Sequence, residues 1–129
     1  AINGEEDASR SDYTASSDDN VLVQGVMGDR GAIGYFGFAY YAENREVLKV
    51  LGVDDGSGCV EPSVSSINDG SYKPLSRPLY IYVNNFSLQR EEMKAFMRFY
   101  LSNAAELAEE VGYVGLPEAD YQSQLAELN

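Results

Sequence analysis

SRSDYTASSDDNVLVQGVMGDRGAIGYFGFAYY, residues 9–41, holds the transitions that decide the fold. A polar loop rich in Ser and Asp runs into a short apolar segment, a Gly turn and a glycine-punctuated aromatic stretch. Ser16 or Ser17, followed by Asp18, Asp19 and Asn20, predicts a helix start. A side-chain oxygen can accept from the free first-turn N–H groups, and acids suit the positive end of the helix dipole. Val21, Leu22, Gly25 and Val26 then give one apolar face, and Gly28 stops the helix. Asp29-Arg30-Gly31 is a turn. Ala32 to Phe38 reads as a strand in which Gly34 and Gly37 mark a close backbone approach or a bend. Tyr40 to Asn44 coils into a short helix.

Downstream the alternation continues. Val47 to Val53 is a second strand candidate, closed by the turn cluster DDGSG at 54–58 and followed by Cys59-Val60. Pro62-Ser63 opens a short helical segment that Asn68-Asp69-Gly70 ends. Leu79 to Val83 alternates aliphatic residues with Tyr80 and Tyr82, a period-2 strand expected to be covered on both faces. Ser87 caps a long helix whose apolar positions Met93, Phe96, Met97, Tyr100, Leu101, Ala104, Leu107, Ala108 and Val111 follow helical spacing. Ser102-Asn103 is expected to divide it in two. Gly112 stands at a left-handed C-cap, and a last helix after Pro117 places Tyr121, Leu125 and Leu128 on one face. Strands alternating with helices indicate an α/β architecture. At the other end, AINGEEDAS reads as the last turn of a helix with Asn3-Gly4 as its cap, as expected of a fragment or a split chain.

Composition narrows the function. The 129 residues suffice for one domain, and 44% hydrophobic with 12% aromatic residues argues against wholesale disorder. No apolar run approaches the ~20 residues that span a bilayer. There are 21 acids against nine cations, a net charge of −12, and this disfavours attraction to nucleic acid or an anionic membrane. Among the cations only Arg90, Lys94 and Arg98 share helical spacing, and pairing with Glu91, Glu92 and solvent accounts for them. Without histidine, His-based acid–base catalysis and His metal ligation are excluded within this chain. Cys59 is alone, so it cannot form an internal disulfide and serves as a small apolar filler.

Several motifs have both a functional and an ordinary reading. DDGSG could pass for a phosphate or calcium loop, but neither pattern is completed, and a turn is the better account. The pairs Glu5-Glu6, Asp18-Asp19, Glu91-Glu92 and Glu109-Glu110 point neighbours to different sides, as on a solvated surface. No G-x-S-x-G elbow occurs, so no catalytic or metal residue is assigned. The ten tyrosines fit half-buried packing with wet hydroxyls. Phosphate can be held by neutral donors at a helix start, and Ser17 and Asn20 are the candidate ligand contacts. A plain cap explains the same residues and is favoured.

In order and spacing, SRSDYTAS-DDNVLVQGV (9–26), GAIGYFGFAYY (31–41), SINDGSYKPLSRPLYIYV (66–83) and KAFMRFYLSNAAELAEEVGYVGLP (94–117) resemble the solute-binding proteins of ABC-type phosphate uptake systems. The resemblance covers almost the whole chain. It implies an α/β fold, the later half of a two-lobed periplasmic-binding-protein (type II) fold. Residues 1–50 would complete lobe two with the hinge, and residues 51–129 would return to lobe one with the C-terminal helices. That family grips phosphate with a Thr/Ser loop of the first lobe and a Ser-Gly-Thr helix start of the second. Neither element is found here, so no family ligand residue is carried onto a numbered position.

The resemblance implies a part of a high-affinity receptor delivering inorganic phosphate to an ABC transporter, with no enzymatic activity and no cofactor. Its partners would be phosphate, an N-terminal companion segment or chain completing the lobes, and the transporter's membrane subunits. The location would be periplasmic or at the cell surface. The alternative is a stand-alone interaction or scaffold domain of the same fold without a ligand site. The Tyr-rich strands and the Met/Phe helix face predict that a second polypeptide or self-association covers exposed apolar surface.

Overall fold

The computed structural model describes Gly4, Glu5, Ala8 and residues 10–128; the helix end expected at Ala1–Asn3 lies outside the described residues. The chain divides into two compact units, Ala1–Arg77 and Pro78–Asn129.

In the first unit, α1 spans Asp19–Gly28 and α2 spans Phe38–Glu43, and the two are in contact. The α1 cap is Asp18, one or two residues beyond the expected serines: its carboxylate accepts from the Asn20 N–H, while Ser16 Oγ accepts from the Asp18 N–H. The shift alters the inward face. Leu22, Val23 and Val26, at i, i+1 and i+4, turn inward, with Val23 only 2% exposed, whereas Val21 is exposed. The segment 32–37 carries no strand ladder and leads directly into α2. Gly34 does mark a close approach: a β-carbon there would lie 2.6 Å from Val26 Cγ2 and 2.9 Å from Phe36 Cε1.

The second expected strand shrinks to β1 (Val53–Asp54), antiparallel to β2 (Cys59–Val60), with Val53 opposite Val60 and Asp54 opposite Cys59. α3 (Val64–Asn68) begins where Pro62-Ser63 indicated. Ser63 and Ser66 form a reciprocal capping box, and Asp69 and Gly70 close the helix. Ser66 is buried, with Oγ donating to the Glu61 carbonyl at 2.8 Å and accepting from the Ser63 N–H at 2.9 Å.

In the second unit, residues 78–84 form no ladder, and Leu79, Tyr80, Ile81 and Tyr82 are all exposed. The expected two-faced cover is therefore absent among the described residues. A strand's N–H and C=O groups are satisfied by neighbouring strands, and the described residues bring none alongside. Ser87 opens a 3₁₀ turn (Ser87–Gln89) and does not cap the long helix; α4 runs Glu91–Glu110 after Arg90, which makes no side-chain cap bond. Ser102-Asn103 does not break α4. Asn103 Nδ2 donates to the Phe99 carbonyl at 2.7 Å, a bond inside the helix that leaves the ladder continuous.

α4 ends in a Schellman motif: Gly112 adopts φ +85°, its N–H donates to the Glu109 carbonyl, and the Tyr113 N–H donates to the Ala108 carbonyl at 2.8 Å. α5 (Glu118–Glu127) packs against α4. Met97, Leu101 and Tyr121 form the buried core of this unit, and Tyr121 Oη accepts from the Leu116 N–H at 3.1 Å.

Candidate functional site

The sequence's anion candidate is the α1 start at Ser17 and Asn20, and a polar arm leads into it. Arg10 clasps Asp12, with Nε donating to Oδ1 at 2.8 Å and the terminal amine to Oδ2. The guanidinium bond holds the Asp12 carboxyl below its ordinary range, and the same bond raises Arg10. Both side chains face solvent, where such a pair adds little stability.

At the helix start, Asp18 Oδ1 accepts from the Asn20 backbone N–H at 3.0 Å and from Asn20 Nδ2 at 3.2 Å. The chain's own carboxylate thus occupies the place an anion would take, and like charge opposes a second anion there. Asn20 belongs to the cap, and Ser17 stands exposed just before it.

The DDGSG turn is filled in the same way. Asp54 Oδ1 accepts from the N–H groups of Gly56 (2.8 Å) and Gly58 (2.9 Å), and Asp55 Oδ1 accepts from Ser57 (3.0 Å). The bond from Gly58, then that from Gly56, holds the Asp54 carboxyl below its usual range. Donors that might cradle phosphate are satisfied internally, so the loop is a turn. Among the described residues, no group of three or more Cys, Asp or Glu side chains converges as a metal site.

The second unit contains a groove of about 310 Å³ between residues 81–87 and the first turns of α4. Its walls are mainly apolar: Ile81, Val83, Met93, Phe96, Met97 and Tyr100, with Asn84 and Ser87 at the polar end. The periodicity of α4 was readable as a core face, yet it did not show that Phe96 and Tyr100 stay exposed. The signal that could have located the groove is that stripe combined with the alternation at 79–83, since both ask for cover.

These folds and faces coincide with a known class. The chain belongs to the PBP superfamily: the family description "PBP superfamily domain" matches residues 3–104. Within that class it is similar to phosphate-binding proteins. It is 43% identical over 116 residues to the phosphate-binding protein PstS of Staphylococcus saprophyticus, covering 88% of this chain and 36% of that protein. It is 50% identical over 113 residues to the protein SphX of Synechococcus elongatus, covering 87% of this chain and 34% of that protein. Its backbone matches the crystal structure of a possible phosphate binding protein from Planctomyces limnophilus with a TM-score of 0.84 and 47% identity, over 98% of this chain and 47% of that one. The chain therefore spans about a third of the length of the curated relatives it matches. Its α/β fold is part of a PBP-superfamily fold, as the resemblance implied.

Proposed function

We propose that this chain is the later part of a receptor that binds inorganic phosphate and delivers it to an ABC-type transporter, in the periplasm or at the cell surface. The observation that carries the reading is the 43% identity to a phosphate-binding protein across 88% of the chain. The backbone match to a possible phosphate binding protein supports it. The local chemistry agrees. With the helix start and the Gly loop filled by Asp18 and Asp54, the phosphate grip belongs to the companion segment that completes the lobes. The protein acts as a receptor and not as an enzyme. Asn20 belongs to the Asp18 cap and Ser17 stands exposed beside it, and direct phosphate contact is assigned to neither.

A chimera tests this: the part of Synechococcus elongatus SphX that precedes its matched region, joined to this chain. Phosphate at a hundred times its dissociation constant is expected to stabilise the folded chimera by about 2.7 kcal/mol, read as a rise in melting temperature. A folded chimera whose melting does not move in millimolar phosphate would favour the scaffold alternative.

A further inference from the structure

We draw no further inference here: the strongest candidate, the exposed apolar stretch around Ile33 and Tyr35 between α1 and α2, carries nothing, because nothing in the structure shows what covers it.

Discussion

Ser66 has almost no contact with water, and its one hydroxyl serves three backbone and side-chain partners: it donates to the Glu61 carbonyl and bonds both the Ser63 N–H and the Ser63 hydroxyl. Ser66→Ala would leave these groups unpaired in a closed site, and urea denaturation is expected to show a loss of about 1–2 kcal/mol. An unchanged midpoint would mean water replaces the hydroxyl freely. Asp54 acts through ionisation. Its carboxyl is lowered by the Gly58 and Gly56 N–H groups, so its contribution is present above the unfolded value of about 3.9 and is lost as pH falls through the lower folded value. Carbon-13 titration of Asp54 should give a midpoint below about 3.9; one at or above it would contradict the loop geometry. At this scale the sequence was partly legible. The Ser63 cap and the DDGSG turn followed from local chemistry. The α1 cap went to Asp18 because four adjacent residues from Ser16 to Asp19 could all serve, and local rules do not rank them by where the chain enters.

At the scale of elements, helices and strands differ in what a sequence can promise. A helix satisfies its backbone internally, so α4, its glycine cap and α5 were readable from spacing alone. The error at Ser102-Asn103 came from counting two weak helix formers as a break, although Asn103 bonds back to Phe99 within the helix. Strands depend on neighbours, and the β-formers at 32–38 and the alternation at 79–83 could say only that pairing is wanted. Packing predictions follow the same division. Met97→Ala or Leu101→Ala should each cost about 2–5 kcal/mol in chemical denaturation, since both are buried between α4 and its surroundings. Gly112→Ala forces a β-carbon onto a left-handed backbone and should cost about 1–2 kcal/mol. If Leu101→Ala left stability unchanged, the α4–α5 core described above would be wrong.

For the molecule as a whole, exposed apolar surface is the dominant property. Ile33 and Tyr35 in one unit, and Leu79, Tyr80, Tyr82 and Phe96 in the other, stand in solvent although their spacing is that of interior positions. On the proposed reading the rest of a receptor would cover this surface, in keeping with a chain that matches about a third of its curated relatives' length. The family was legible because its motifs keep their order and spacing. The ligand site was not, because the local anion candidates are satisfied by the chain's own Asp18 and Asp54 carboxylates. The most direct test of the central claim is isothermal titration of inorganic phosphate into the folded chimera with the SphX segment. Saturable binding of one phosphate per chimera is the predicted result. A folded chimera that takes up no phosphate would contradict the receptor account.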